Sequence, residues 1–192
     1  MKKLIAIATA LVAIVPMTGT PASAQTAAAL AFTCTATLPS FPSGGAHGSC
    51  GGTAAVTGAG AHVVVGGTSY VITGAGTLDA RFDYNESCVP GPVPLPPLQG
   101  VAAGSVEIDG LRAVGTDGSV TTASADLWFN WNRTGAVAVI SITSGTLTVG
   151  GENVRISGDT AEAAFVPIGT AGRFCPEGGP LEALVVGSAQ IF

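Results

Sequence analysis

The sequence predicts an all-β fold: a single antiparallel two-sheet β-sandwich of about nine strands, braced by disulfides, with a β-barrel as the alternative. Charged residues make up only 10% of the chain, 28 glycines recur along it, and almost no stretch has the periodicity of a helix. Short segments of alternating apolar and polar residues lie between glycine-rich turns, which is typical of neighbouring antiparallel strands.

Nine segments are predicted to be strands: residues 27–38, 50–58, 61–73, 76–86, 101–114, 119–132, 136–149, 152–166 and 181–192. The third is expected to bend at Gly66-Gly67, and residues 132–135 to form a hairpin turn. The clearest alternation lies in the fourth segment, where every second side chain is apolar: Leu78, Ala80, Phe82 and Tyr84. Residues 88–98 hold five prolines, which favours a stiff crossover loop because proline cannot donate to a strand ladder.

The N-terminus has the pattern of a secretory signal peptide. Lys2 and Lys3 precede a short apolar run over residues 4–15, and Ala22-Ser23-Ala24 is a small-residue cleavage site. We therefore expect a signal peptide over residues 1–24, a single secreted domain over residues 25–192, and an extracellular location. No later apolar segment reaches membrane length, so no transmembrane segment is expected in the mature chain.

The charge of the predicted mature domain limits its partners. Both lysines lie in the signal, so residues 25–192 carry five arginines against twelve carboxylates, a formal charge of −7. Nucleic-acid binding needs clustered cations to neutralise phosphates, which argues against a nucleic-acid partner. The absence of lysine from this region also excludes Schiff-base chemistry by the chain itself.

Four cysteines suit two disulfides in an exported protein. Cys34 and Cys50 flank a turn rich in proline and glycine, and Cys88 and Cys175 each lie beside proline, so we predict the pairs Cys34–Cys50 and Cys88–Cys175. The alternative is a metal site, but no CxxC motif or histidine pair supports one. We therefore predict no metal and no cofactor.

The order of these features resembles a group of small secreted actinobacterial proteins. The resemblance rests on the segments FTCTAT (residues 32–37), CVPG (88–91), a tryptophan-bearing hairpin, CPEGG (175–179) and the last strand GSAQIF (187–192). It implies a secreted all-β fold. It implies no agreed activity, so no functional residues are carried over to this chain.

The two tryptophans of the chain lie three residues apart, at positions 128 and 131. On a strand they point to opposite faces. Trp131 shares its face with apolar residues and is predicted to be a core residue whose indole N–H needs a partner. Trp128 shares its face with Asp126 and Asn130, a combination suited to stacking on a sugar ring and binding its hydroxyl groups. The alternative is that Trp128 is covered by a loop such as residues 88–98.

Catalytic chemistry has little support in the sequence, and we predict no catalytic residues. His47 and His62 have no identifiable acid partner, and Ser49 lacks the glycine two residues before it that a nucleophile elbow needs. Asp79 and Asp83 would lie about 13 Å apart on one strand, too far for a glycosidase pair. An enzyme would need a pocket that gathers a histidine with a carboxylate and a hydroxyl group.

The sequence therefore favours a non-enzymatic domain that acts by surface contact, at the cell envelope or in the medium. The alternative function is a carbohydrate-binding module that uses Trp128 with Asp126 and Asn130. The sequence does not determine the oligomeric state. The uncharged apolar segment 136–142 could pair edge to edge between copies, or be a buried central strand.

Overall fold

A computed structural model describes residues 28–38, 46–87, 99–134, 136–168 and 181–191 of this chain. Within them, the chain forms nine strands: β1 Ala28–Leu38, β2 Ala46–Val65, β3 Thr68–Ser87, β4 Gln99–Gly115, β5 Val120–Thr134, β6 Val137–Val149, β7 Glu152–Ile156, β8 Thr160–Ile168 and β9 Leu181–Ile191. All their pairings are antiparallel. The predicted all-β antiparallel fold of about nine strands is confirmed.

Three predictions fall elsewhere in the chain. The signal peptide (residues 1–24), the proline-rich loop (residues 88–98) and the Cys88–Cys175 pair lie outside the described residues. In the part that the structure describes, no helix is long and apolar enough to cross a membrane.

The strands form one continuous sheet in the order β5-β4-β3-β2-β1-β9-β8-β6-β7, and β5 also pairs with β6. The sheet therefore curls back on itself, and side chains from all nine strands meet in one apolar core. The inward faces of opposite parts of the sheet pack together as in a sandwich. The strand pairing nevertheless continues from one part to the other, because β5 also pairs with β6. Along Val137–Ser141, β6 has β5 on one side and β8 on the other, so this segment is a central strand rather than an edge.

The strand boundaries in the N-terminal half differ from the predicted ones. The three segments 50–58, 61–73 and 76–86 are two strands of 20 residues each, β2 and β3. Gly66 and Gly67 do not bend a strand; they form the two-residue turn between β2 and β3, where Val65 pairs with Thr68. Their φ angles of 57° and 84° are both positive, as a type I′ hairpin turn requires.

The glycines near residue 59 mark a bulge inside β2 rather than the end of a strand. Gly58 and Gly60 have φ angles of 78° and 89°, and the pairing with β3 shifts register between Val56 and Ala61. Before the bulge even-numbered side chains face the core, and after it odd-numbered ones do. The extra residues thus keep apolar side chains inward on both sides while bending the strand.

The predicted strand 152–166 is two strands, β7 and β8. Both pair with β6, one after the other along its length. Between them the chain turns toward its neighbours: Asp159 N donates to Gln190 O at 3.0 Å, and Ile142 N donates to Asp159 O at 3.4 Å. Backbone groups at the break are thereby satisfied, which a buried chain requires.

The predicted hairpin turn at residues 132–135 is misplaced. Residues 132–134 belong to β5, and Thr134 pairs with Val137 of β6. Arg133 is consequently an inward-facing strand residue with 1% of its surface exposed, and its guanidinium carbon lies 4.5 Å from the centre of the Phe165 ring. A cation over an aromatic face is a favourable way to bury an arginine.

The turn between β4 and β5 is built around Asp117. Its carboxylate accepts hydrogen bonds from the Ser119 backbone N–H at 2.9 Å and from the Ser119 hydroxyl at 2.6 Å. The Ser119 hydroxyl, followed by the Ser119 backbone N–H, lowers the pKa of this exposed carboxyl below its ordinary value. Such side-chain bonds to residues two positions on are typical of tight turns that start at aspartate.

The predicted disulfide Cys34–Cys50 is present and joins β1 to β2, with the two Cα atoms 5.5 Å apart. Both cysteines face the core and are buried. The bond closes the segment between these strands at a point where they already pair, with Ala36 opposite Cys50.

Gly52 and Gly51 offer a matched test of strand packing. A Cβ atom on Gly52 would lie 2.1 Å from the Thr33 carbonyl oxygen, whereas one on Gly51 would meet nothing within 4 Å. We expect Gly52→Ala to lower the free energy of unfolding by about 1–3 kcal/mol, because backbone must move to admit the methyl group. Gly51→Ala should be neutral or raise it by up to about 1 kcal/mol. Urea denaturation of the two variants checks this; equal midpoints would contradict it.

Candidate functional site

An open groove of about 740 Å³ crosses the outer face of the sheet. Its lining comes from six consecutive neighbours in the curled sheet, β1 to β6: Thr37, His47, Gly48, Ser49, Arg81, Phe82, Asp83, Ala103, Gly104, Ser105, Trp128, Phe129, Asn130 and Thr143. Most of these side chains are polar and face outward, so the groove is a surface of the molecule rather than part of its core.

Strand register aligns the outward side chains in two rows. The first row runs across the strands as Ser49, Arg81, Ser105 and Trp128. The second row runs as His47, Asp83, Ala103 and Asn130. In both rows β4 contributes a small side chain, and β3 and β5 contribute large ones. Because neighbouring strands lie about 4.8 Å apart, two walls roughly 10 Å apart flank a floor of small residues.

Trp128 forms one wall of the groove and is 60% exposed. The pairing of β5 with β6 shifts register between Trp128 and Phe129, where Thr143 is the additional residue on β6. The Thr143 hydroxyl donates to the Trp128 carbonyl oxygen at 3.2 Å. Bulges commonly re-aim a side chain beside a functional site, and this one lies at the backbone of the exposed tryptophan.

The other predicted ligand-binding residues divide between the groove and its border. Asn130 lines the groove on the same wall as Trp128. Asp126 is exposed on the same face of β5, two residues before Trp128, and does not line the groove. The predicted alternation holds throughout this strand, since Leu127, Phe129 and Trp131 are all buried. Whether the three outward residues bind a ligand stays a prediction.

His47 has an acid partner, contrary to the sequence-based expectation. Its Nδ1 atom contacts the Asp83 carboxylate directly across the β2–β3 pair. Ser49 lies on the same face of β2, two residues further on, so the groove gathers a histidine, a carboxylate and a hydroxyl group. The pair is open to water, with side-chain exposures of 94% and 78%. Among the described residues, His62 has no carboxylate partner; it is half-buried and opposite Val71.

Arg81 stands beside these groups and forms an exposed ion pair with Asp79, with Nε and Oδ1 3.4 Å apart. Arg81 thereby compensates a carboxylate on its own strand. Exposed pairs of this kind add at most about 1 kcal/mol to stability. The charged groups of the groove are therefore free to exchange their partners for a ligand at small cost to the fold.

A row of carboxylates borders the groove. Asp79, Glu107 and Asp126 lie directly opposite one another on β3, β4 and β5. Like charges at facing positions repel. Arg81 compensates one of them through its contact with Asp79. The border of the groove is consequently more negative than its floor.

Buried aromatic rings support the groove from the inside. Phe82 packs against Trp131 with ring centres 5.1 Å apart, and against Phe129 at 6.3 Å. Phe82 and Phe129 belong to the strands that carry Arg81, Asp83, Trp128 and Asn130, so the core positions both walls. A binding site on packed strands holds its side chains more rigidly than one on loops.

Sequence reasoning missed His47, Asp83 and Arg81 as groove residues. The predicted second strand began at residue 50, which left His47 outside any strand. Alternation does show which face a residue occupies, but it does not show which strands are neighbours or in what register they pair. The one sequence signal for these groove residues was that Arg81 and Asp83 fall on the outward face of the strand predicted over residues 76–86.

The described residues contain no group of three or more His, Cys, Asp or Glu side chains arranged to hold a metal ion. The groove itself presents an exposed aromatic ring and hydrogen-bonding side chains. Comparison with protein-family models, with curated proteins and with solved structures finds no match to this chain.

Proposed function

We propose that this protein is a secreted, non-enzymatic domain that binds glycans at the cell envelope or in the medium, through the groove beside Trp128. The observation that carries the proposal is the position of a 60% exposed tryptophan on the wall of an open groove with polar side chains on the opposite wall. The signal-peptide pattern supports secretion. The Cys34–Cys50 disulfide supports an oxidising compartment.

The chemistry of the groove matches that of a sugar ring. The flat apolar face of an indole stacks against the C–H face of a pyranose, and its N–H remains free to hydrogen-bond. Asn130 offers both a donor and acceptors, Asp83 offers acceptors, and Arg81 offers donors for hydroxyl groups. The walls stand roughly 10 Å apart, which leaves room for a ring between them.

Charge favours neutral glycans over acidic ones. Asp79, Glu107 and Asp126 form the negative border of the groove, and residues 25–192 carry a formal charge of −7. A uronate or a phosphorylated glycan would meet repulsion from both. We therefore expect ligands to be neutral polysaccharides, or glycans that carry amines.

Replacing Trp128 with alanine should abolish retention on insoluble glycans. Loss of a central aromatic contact costs about 2 kcal/mol or more, which corresponds to binding weaker by about 30-fold. The matched control is Val120→Ala, since Val120 lies on the same strand, is 59% exposed and does not line the groove. A glycan array followed by pull-down on the best insoluble glycan measures all three proteins.

Both variants should unfold within about 0.5 kcal/mol of the wild type because both side chains are exposed. Equal retention of the wild type and Trp128→Ala would overturn the proposal, as would failure of the wild type to bind any glycan. If the wild type releases reducing ends or acetate from a glycan and His47→Ala abolishes this release, the groove is the active site of a hydrolase and the binding proposal is replaced. The high exposure of the His47–Asp83 pair argues against that outcome, because acid–base catalysis gains from a water-excluded site.

A further inference from the structure

The groove beside Trp128 continues along the outer face of the sheet toward Thr134, where β5 ends. A second open depression, of about 470 Å³, lies next to it on β3, β4 and β5. The outward side chains of Asp83, Ala103 and Asn130 line both spaces. The two spaces therefore form one extended groove, with β4 as its floor and β3 and β5 as its walls.

A third row of outward side chains completes this extended groove. Asn85 on β3 pairs with Val101 on β4, and Val101 pairs with Asn132 on β5. All three residues are exposed and line the second depression, and Val101 has 53% of its surface open to water. Like the first row, which contains Trp128, the third row combines an apolar surface with hydrogen-bonding groups. Here the apolar surface is the floor, and an amide stands on each wall.

The three rows are evenly spaced along the strands. Val101, Ala103 and Ser105 are alternate residues of β4, so the first and third rows lie about 13 Å apart at about 3.3 Å per residue. Both register shifts of β4 lie beyond Ile108, so the rows stay aligned over this distance. The groove is consequently as long as roughly three linked pyranose rings and, with walls about 10 Å apart, one ring wide.

The size of the side chains sets the direction of a bound chain. Along β4 the floor consists of Ser105, Ala103 and Val101, all of which are small or medium-sized. A chain laid across the strands would instead have to pass over Arg81 and Trp128, the large side chains of the two walls. A branch on the middle unit would meet a wall. The extended groove therefore favours a linear chain that runs parallel to the strands.

Both ends of the extended groove suit a sugar ring. Trp128 offers the face of an indole at one end. At the other end, Val101 offers an apolar floor between Asn85 and Asn132, whose amides both donate and accept hydrogen bonds. We infer that the groove binds an unbranched glycan along β4, with one sugar unit at Trp128 and the third unit between the two asparagines. This inference rests on the proposed glycan binding, and it adds the length and direction of the bound chain and a second contact site.

The dependence of affinity on chain length tests this inference. The probes are cello-, manno-, xylo- and chito-oligosaccharides of one to six units, and isothermal titration calorimetry measures their dissociation constants. For the series that binds best, we expect the affinity to rise about tenfold from two units to three, because the third unit reaches the two amides. From three units to six the affinity should rise less than about fivefold, since longer chains only add further registers for the same three contacts.

A double variant assigns that gain to the third row. Asn85→Ala/Asn132→Ala removes both amides and leaves Trp128 in place. It should bind two-unit probes within about twofold of the wild type and three-unit probes about tenfold more weakly. The matched control is Thr77→Ala/Thr122→Ala, because both threonines are exposed on the same two strands and line neither part of the extended groove. The control should bind every probe as the wild type does, and both variants should keep its urea midpoint.

The other outcomes overturn the inference and show whether the glycan proposal falls with it. Equal affinity for probes of one to six units would mean that a single sugar at Trp128 accounts for binding; glycan binding then stands and the extended site does not. The same conclusion follows if Asn85→Ala/Asn132→Ala binds three-unit probes as tightly as the wild type. If the wild type binds no probe of any length, both the extended site and the glycan proposal are wrong.

Discussion

Phe165→Ala is expected to lower the free energy of unfolding by about 3–5 kcal/mol, the range for removing a large aromatic side chain from a core. Phe165 has no exposed surface, and its ring meets Trp131 edge-on with centres 5.9 Å apart. The same ring lies 4.5 Å from the guanidinium carbon of Arg133. Truncation therefore removes apolar burial, an aromatic pair and a cation–π contact at once.

Urea denaturation followed by far-ultraviolet circular dichroism measures this effect. The matched control is Val166→Ala, because Val166 is the next residue on β8, points outward and is 49% exposed. That control should unfold within about 0.5 kcal/mol of the wild type. Phe165→Leu should fall between them, since it retains much of the volume but loses the ring. Similar midpoints for Phe165→Ala and Val166→Ala would show that the β8 face is misassigned.

Removing the Cys34–Cys50 disulfide is the second large expected effect. The bond joins residues 16 apart in sequence, and a loop of this size is worth about 3 kcal/mol through the restricted unfolded chain. The variant Cys34→Ala/Cys50→Ala should lose about this amount. Alanine is preferred to serine, because both cysteines are buried and a hydroxyl group would need a partner there.

The control for this variant changes outward residues on the same two strands. Thr35 and Ser49 are both exposed beside the cysteines, and Thr35→Ala/Ser49→Ala should change the unfolding free energy by less than about 1 kcal/mol. The effect of the disulfide should also depend on redox conditions. Mild reduction should lower the unfolding free energy of the wild type more than that of Cys34→Ala/Cys50→Ala, which retains only Cys88 and Cys175. A cysteine variant as stable as the wild type would contradict the argument from loop entropy.

Alternation predicted the faces of two strands correctly from sequence. In residues 76–86 and 125–131, the side chains expected in the core are buried, from Leu78 to Tyr84 and from Leu127 to Trp131. This success has a local cause, because successive side chains of a strand point to opposite faces whatever its partners are. The Cys34–Cys50 pair was likewise predictable, since both cysteines flank one short turn.

Glycine misled the sequence analysis where it had two possible roles. Gly58 and Gly66 each stand in a glycine-rich stretch between apolar runs, but the first lies in a bulge and the second in a turn. The sequence does distinguish the two roles. Apolar core residues have even numbers before Gly58, as in Ala54 and Val56, and odd numbers after it, as in Ala61 and Val63. A bulge shifts this parity and continues the strand, which a window of a few residues does not reveal.

Arg133 shows the limit of local polarity as a guide. Beside Asn132 and Thr134 it has the composition of a turn, and its place in the core depends on Phe165, which is 32 residues later in the sequence. The groove has the same kind of origin. His47 meets Asp83, and Arg81 faces Trp128 across Ser105, only because β2, β3, β4 and β5 pair in one particular register.

The amino-acid sequence by itself determined that this chain forms antiparallel strands, which of its two tryptophans is buried, and which nearby cysteines join. These properties follow from side-chain spacing and from distance along the chain. Only the tertiary structure decided that His47 has an acid partner, that Arg133 lies in the core and that side chains of six neighbouring strands line one outer groove. Those features arise from contacts between residues far apart in sequence, whose register is a property of the whole sheet.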